Sequence, residues 1–242
     1  MKRNDETRRS GTMRVDVWSD VVCPWCYVGK RRLEAALAMF AHKDAVEVEW
    51  HAFELDPSAT DGGQGNYAAR LGKKYGMDAA KAQAMIDGMT ATAKKDGLDF
   101  RFDRVRPGNT FDAHRVIHFA AREGRGDAMK ERLLLAYMTE GESIADRETL
   151  VRLAEDVGLE GERVRAMLAS DELTTAVRED EKAAAAMGVR GVPFFVVDER
   201  YGVSGAQPAE LLLEVLEKAW NESHAGVTTV AGGQVCEDGS CG

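Results

Sequence analysis

Asp20-Val21-Val22-Cys23-Pro24-Trp25-Cys26-Tyr27-Val28-Gly29-Lys30-Arg31-Arg32-Leu33-Glu34 is the stretch of this chain on which its architecture turns. Just upstream, Met13, Val15 and Val17 alternate with Arg14 and Asp16, the period of a strand. Downstream, Leu33, Leu37 and Phe40 recur at helical spacing and predict a helix from Tyr27 to Ala41. Pro24 suits the first helical position, where its missing N–H leaves no bond unmade, so Cys23 becomes the N-cap with its sulfur against unpaired backbone donors. A second alternating run, Val46 to Phe53, follows. Residues 13 to 53 thus read as strand, helix, strand, with a Cys-x-x-Cys pair at the helix entrance.

The four cysteines form two close pairs, Cys23 with Cys26 and Cys236 with Cys241, and none lies between them. In a reducing compartment such pairs point to redox catalysis or metal binding, because static disulfides do not persist there. A thiol at a helix N-cap ionises at a pKa of ~4 to 7 against ~8.5 for a free one. Cys23, with its sulfur exposed, is therefore the expected nucleophile toward a disulfide, and Cys26, one turn on, the expected resolving thiol. Pro24 and Trp25 complete the motif.

The far end supplies complementary elements. Met187-Gly188-Val189-Arg190-Gly191-Val192-Pro193 leads into an apolar strand from Phe194 to Val197, a turn at Asp198 to Arg200, a strand from Tyr201 to Gly205 and a closing helix from Gln207 to Trp220. A proline at the mouth of a buried strand cannot join the ladder, and beside Cys-x-x-Cys it suggests a cis Val192–Pro193 bond.

DVVCPWCYVGKRRLE, the stretch NTFDAHR at Asn109 to Arg115, and GVRGVPFFVVDERYGVSGAQP at Gly188 to Pro208 resemble the DsbA-like thioredoxin superfamily, and within it the FrnE group of thiol-disulfide oxidoreductases and isomerases. That resemblance implies an α/β thioredoxin fold with a large all-helical domain inserted between its two halves. It implies Cys23 as nucleophile, Cys26 as resolving thiol, Pro193 as the cis-proline facing them, and Val192 as the residue whose backbone pairs with substrate. Asn109 is either a helix cap or a pocket residue. Cys236 and Cys241 look like the second cysteine pair of the FrnE proteins. Trp25 stands where strongly oxidising relatives carry His, which implies a less oxidising protein.

The expected organisation is a disordered leader (1–12), an N-terminal half-fold (13–56), a helical insertion (57–187), a C-terminal half-fold (188–224) and a flexible tail with the second cysteine pair (225–242). Within the insertion, helices are expected near Tyr67–Tyr75, Ala79–Asp96, Thr110–Glu123, Ala128–Thr139, Glu148–Val157, Glu162–Ala169 and Leu173–Met187, separated by Gly-bearing breaks. Leu98, Phe100 and Phe102 alternate as a short extended connection. His114 and His118 stand at i, i+4, but no further ligand completes a metal set, so packing or hydrogen bonding is expected. The charges from Arg178 to Lys182 read as a solvated helix face.

With 242 residues, 44% hydrophobic and 30% charged, the chain has the make-up of a globular protein. The net charge of −9 gives no support for a phosphate-binding groove, so nucleic acid is excluded as an expected partner. No apolar run is long enough to span a membrane. The first twelve residues lack an apolar signal core, Met13 offers an alternative start, and a cytoplasmic location is expected.

The leading expectation is a thiol-disulfide oxidoreductase with isomerase capacity, acting on protein disulfides without an organic cofactor or metal. Its redox partner would be a low-molecular-weight thiol or a thioredoxin-type protein. Two alternatives stand beside it: a glutathione-dependent isomerase or transferase of the same fold, and a zinc module using all four cysteines. The intact CPWC favours dithiol exchange over the first. The eleven residues 225–235 extend at most ~37 Å, so Cys236 and Cys241 are placed within reach of Cys23 as a secondary redox pair.

Overall fold

The computed structural model describes residues 11–60 and 66–224. Most of the expected leader, and Cys236 and Cys241 with the tail, lie outside the described residues. Strand β1 (Met13–Ser19) runs into helix α1 (Pro24–Met39), a short 3-10 turn and strand β2 (Val46–Ala52). Seven helices follow: α2 (Tyr67–Tyr75), α3 (Ala79–Lys95), α4 (Phe111–Arg122), α5 (Gly126–Leu135), α6 (Arg147–Asp156), α7 (Gly161–Leu168) and α8 (Thr174–Ala186). Strands β3 (Phe194–Val197) and β4 (Tyr201–Ser204) and helix α9 (Ala209–Ser223) close the described chain.

The sheet order is β2-β1-β3-β4, with β2 parallel to β1 and the other two pairings antiparallel. Helices α2 to α8 lie in sequence between β2 and β3, so this is an α/β thioredoxin-type fold with a helical insertion. β1 has neighbours on both edges, and its Val15 and Val17 are fully buried. One apolar core runs from these residues into the insertion, through Ala113, Val116 and Leu133.

The elements follow the periodicities closely, with two informative departures and one connection that is irregular as expected. The helix that starts at Gly126 passes into a π-turn, Ala136–Glu140, and stops at Gly141, whose φ of 76° is left-handed. The Leu98–Phe102 connection forms no strand; its side chains at Leu98, Phe100 and Phe102 are buried, and Arg101 N–H donates to the Met138 carbonyl at 2.7 Å. The expected solvated face at Arg178–Lys182 is corrected at Asp180, which is only 4% exposed.

Asp180 is buried because it is an anchor. His51 of β2 lies between Asp180 Oδ1 at 2.8 Å and Asp16 Oδ1 at 2.7 Å, and the Ala52 N–H donates to Asp180 Oδ2 at 2.9 Å. His118 Nε2 lies 2.9 Å from the same carboxylate, while the Trp18 ring stacks on His51 with centroids 4.4 Å apart. His114 turns instead toward Asp20, with Nε2 3.4 Å from Oδ1. The i, i+4 histidines therefore face two different carboxylates rather than one common point. Burial alone would lower the His51 pKa, but the two carboxylates outweigh it and raise it to about 9.

A second set of charges docks α5 on α1. Lys30, nearly sealed from solvent, is paired with Glu34, with Asp127 at 3.2 Å and with Glu131 at 3.3 Å. Arg31 also pairs with Glu131, which accepts from Tyr27 Oη at 2.6 Å.

Because His51 titrates near 6.5 when unfolded and near 9 in the fold, its stabilising charge is complete below pH 6.5 and is lost as the pH rises through 9. A shift of that size is worth on the order of 3 kcal/mol. The urea midpoint should fall between about pH 7 and pH 10 in the parent protein. His51→Gln should be less stable at neutral pH and show a flatter profile across that range. An equally steep profile in the variant would remove His51 as its source.

Candidate active site

Cys23 caps α1 with extended backbone dihedrals of −91° and 114°, and Pro24 follows within the first turn. Cys23 N–H donates to the Asp20 carbonyl at 3.3 Å and Cys26 N–H to the Cys23 carbonyl at 3.1 Å, so the motif is wound tightly onto the helix end. The expectation of an exposed Cys23 sulfur is corrected. Cys23 is 4% exposed and Cys26 1%, whereas Trp25 is 40% exposed at the rim. Both cysteines are thiols in this structure.

The cover over Cys23 is the loop before β3. Cys23 Sγ donates to the Val192 carbonyl at 3.5 Å, and the Val192–Pro193 bond is cis. Gly29 makes this approach sterically feasible, because a Cβ there would lie 2.8 Å from Pro193 Cγ. Sequence reading left Gly29 unremarked, since a glycine inside a helix announces no partner until the opposing loop is known.

Behind the motif lies a buried polar floor. Lys130 of α5 is completely buried; its Nζ donates to the Ser19 carbonyl at 3.2 Å and lies 5.6 Å from the Trp50 ring centroid. Asp20, also fully buried, accepts from Leu55 N–H at 2.8 Å and faces His114. Burial opposes charge on Asp20, but His114, the Leu55 amide and Lys130 outweigh it and hold its carboxyl below the ordinary range. Burial lowers the Lys130 pKa to about 8, against the pull of Cys26, Asp20 and Cys23.

The two thiols share a hydrogen bond, so they titrate as a pair that holds one negative charge more readily than two. The Cys26 thiol has neighbours that favour its charged form. Burial pushes its pKa up, but the Cys23 hydrogen bond, the Lys130 ammonium, Ser19 and the Asp20 backbone bring it below the ordinary thiol value. Cys23 correspondingly moves well up, through its hydrogen bond to Cys26, its burial and the charge on Cys26. The helix end thus acts on a pair of thiols rather than on Cys23 alone, and a lysine from the insertion favours the charged form of Cys26.

Asn109 sits apart from this assembly. Its Oδ1 accepts from Phe111 N–H at 2.8 Å at the entrance to α4, and its Nδ2 donates to the Pro57 carbonyl at 3.2 Å. It also borders a groove of about 310 Å³ with Asp112, Arg115, Arg147 and Asp171; neither cysteine nor Pro193 lines that groove. Among the described residues, Asp16, Glu49 and His51 cluster at metal-ligand spacing, but both His51 ring nitrogens already face carboxylates.

Paired thiols at a helix entrance, an opposing cis-proline and a sheet of order β2-β1-β3-β4 define a dithiol site of the thioredoxin class. Residues 14–217 match the model of the DSBA-like thioredoxin domain, and the chain belongs to that family. It is 43% identical to the probable DsbA oxidoreductase of Streptomyces coelicolor, whose crystal structure superposes with a TM-score of 0.83 over 95% of this chain and 98% of that one. YwbO of Bacillus subtilis is 33% identical over 190 residues, 78% of this chain and 88% of its own. The cytosolic disulfide reductase DsbM of Pseudomonas aeruginosa, solved with GSH, shares the fold at 20% identity, with a TM-score of 0.59 over 88% of this chain and 98% of the other.

Removing the Lys130 charge should raise the pH at which the pair first ionises. For Lys130→Met, the midpoint of the iodoacetamide alkylation profile is expected to move up by about one pH unit. A superimposable profile would show that the ammonium does not bear on the thiols.

Proposed function

We propose that this protein is a cytoplasmic thiol-disulfide oxidoreductase with isomerase capacity, of the FrnE type, acting on protein disulfides through Cys23 and Cys26. The observation that carries the reading is the contact of Cys23 Sγ with the Val192 carbonyl. It puts the outer sulfur of the pair against a loop backbone that can pair with an extended peptide, while Cys26 lies beneath it. Position, rather than a private pKa, selects Cys23 as the nucleophile.

In the reductive direction, the proton shared by the sulfurs resides on Cys26 as Cys23 thiolate attacks one sulfur of the substrate disulfide. The S–S bond breaks, a mixed disulfide forms on Cys23, and the departing thiolate takes up a proton. Cys26, deprotonated beside Lys130, then attacks Cys23 Sγ and expels the second substrate thiol. Two thiols of the protein become one disulfide, and one substrate disulfide becomes two thiols. Isomerisation uses the first step alone, followed by attack of another substrate thiol on the mixed disulfide. The Val192–Pro193 loop orients the substrate chain, Pro24 and Trp25 shape the rim, and Asn109 sets the start of α4.

We read residues 13–56 and 188–224 as the scaffold and 57–187 as the inserted domain. A low-molecular-weight thiol is a suitable electron partner, a choice supported by the DsbM relative solved with GSH. Cys236 and Cys241 are read as a second dithiol that exchanges electrons with the first. The Trp220 ring, near the end of α9, lies 6.0 Å from that of Phe40, just past the end of α1 remote from Cys23. Helix α1 is ~24 Å long, and twelve residues from His224 to Cys236 extend at most ~40 Å, enough to return along it.

Cys23→Ser is expected to abolish insulin reduction, and Cys26→Ala to accumulate mixed disulfides visible as high-mass bands on non-reducing gels. Retained insulin reduction by Cys23→Ser would assign the nucleophile elsewhere.

Deleting residues 231–242 should preserve the far-ultraviolet circular dichroism and slow isomerase turnover about twofold or more. Unchanged kinetics would leave Cys236 and Cys241 without a part in the reaction.

A further inference from the structure

Two lysines are buried among the described residues, Lys30 on α1 and Lys130 on α5, and both ammonium groups lie over the ring of one residue, Trp50. Lys30 Nζ stands 5.9 Å and Lys130 Nζ 5.6 Å from its centroid. Trp50 belongs to β2, where strand alternation turns His51 toward Asp180 of α8 and Trp50 the other way, toward α1 and α5. The indole is itself buried, and its Nε1–H donates to Asp127 Oδ1 at 3.0 Å.

The two cations are not equally served. Lys30 has three carboxylates around it, Glu34, Asp127 and Glu131. Among the described residues Lys130 has none within ion-pair distance; its Nζ donates to the Ser19 carbonyl at 3.2 Å and lies over the indole. An ammonium sealed from water carries three donors, and one carbonyl does not replace the hydration it has given up. The negative face of an indole replaces part of it, most effectively where water is excluded. Burial brings the Lys130 pKa down to about 8, so its charge near neutral pH depends on what surrounds it. Cys26 and Cys23 of α1 and Asp20 of the preceding loop favour that charge, and Lys30 opposes it.

Asp127 ties the ring to the helix that carries Lys130. The two residues stand three apart on α5, so both reach the same side of it. Asp127 accepts the indole N–H through Oδ1 and pairs with Lys30 through Oδ2 at 3.2 Å. The edge of the indole is thus bound to the same helix whose ammonium covers its ring.

We propose that Trp50 is a positioning residue for dithiol exchange: its ring holds the Lys130 ammonium charged and in place beside Cys26, and its N–H bond to Asp127 fixes the ring. This deepens the oxidoreductase reading and rests on it. Trp50 takes no part in bond making and acts through Lys130. Loss of the ring makes Lys130 charge less readily, which withdraws a cation from the Cys26 thiolate and moves thiol ionisation to higher pH.

The iodoacetamide alkylation profile of the reduced full-length protein tests this. Trp50→Leu should move the midpoint up by about half a pH unit, and Trp50→Phe, which keeps an aromatic face without the N–H, by less. In a Lys130→Met background, Trp50→Leu should add no further shift. A parental midpoint in Trp50→Leu, or the same shift with and without Lys130, would overturn the proposal, because a packing role alone leaves the profile in place or acts regardless of the ammonium. Insulin reduction by Trp50→Leu should slow about threefold through kcat, with KM unchanged. A loss confined to KM would count against a role exerted on the thiols. One measurement needs no Trp50 variant. In the NMR spectrum of the parent protein, the ε-methylene protons of Lys130, assigned by their absence in Lys130→Met, should resonate upfield of those of exposed lysines, shielded by the indole ring current. Unshielded positions would overturn the proposal however the variants fold. The alkylation profiles involve no disulfide substrate, so a parent protein that shows the expected midpoints yet fails to reduce insulin would overturn the oxidoreductase reading instead.

Discussion

A sulfur sealed from water holds a negative charge only where the protein supplies what water would have given. Here the two thiols share one hydrogen bond and so one charge, and two devices stabilise it from opposite sides. At the end of α1 the Cys26 amide faces the Cys23 sulfur, and Lys130 stands with Ser19 beside Cys26. The first device belongs to the β1–α1 junction. The second arrives from α5, more than a hundred residues later, held against α1 by Lys30, Arg31, Glu131 and Asp127. Those surface-proximal pairs matter less for their own modest energies than for fixing where Lys130 stands.

The cover over the pair depends on a similar fit. Without a side chain at Gly29, the Pro193 ring settles against α1 and brings the Val192 carbonyl to Cys23. The sheet supplies the registration: β3 pairs antiparallel with β1, so the start of β3 and the end of β1 meet at the end of the sheet where α1 begins. The geometry of the dithiol site is thus set by a strand pairing, one glycine and a helix cap acting together.

What could be read from sequence were the features whose signals are local. Strand alternation in Met13–Val17, the Pro24 helix start, the Cys-x-x-Cys spacing and the proline ahead of Phe194 each carry their meaning within a few residues. The helices of the insertion were equally legible from their glycine breaks and apolar spacing. Lys130 and Asp180 were not, because a charged residue on a helix looks solvated until its neighbours are known. Asp180 sits in an apparently ordinary run of charges, yet it is the point where β2, α4 and α8 meet. The ionisation of the thiol pair was only partly legible for the same reason: spacing revealed the helix end but not the lysine behind Cys26.

The placement of Lys130 gives the inserted helices a role in the electrostatics of the dithiol site. Scaffold and insertion are separate stretches of chain, yet the ionisation of the scaffold's sulfurs is set partly by a cation that the insertion delivers. Thiol nucleophilicity therefore doubles as a gauge of how firmly the two parts are seated. Any change that loosened α5 from α1 would register in the chemistry of the cysteines while the sheet beneath them stayed intact. In that sense the insertion is an electrostatic component of the active site, tuned by mechanical contact.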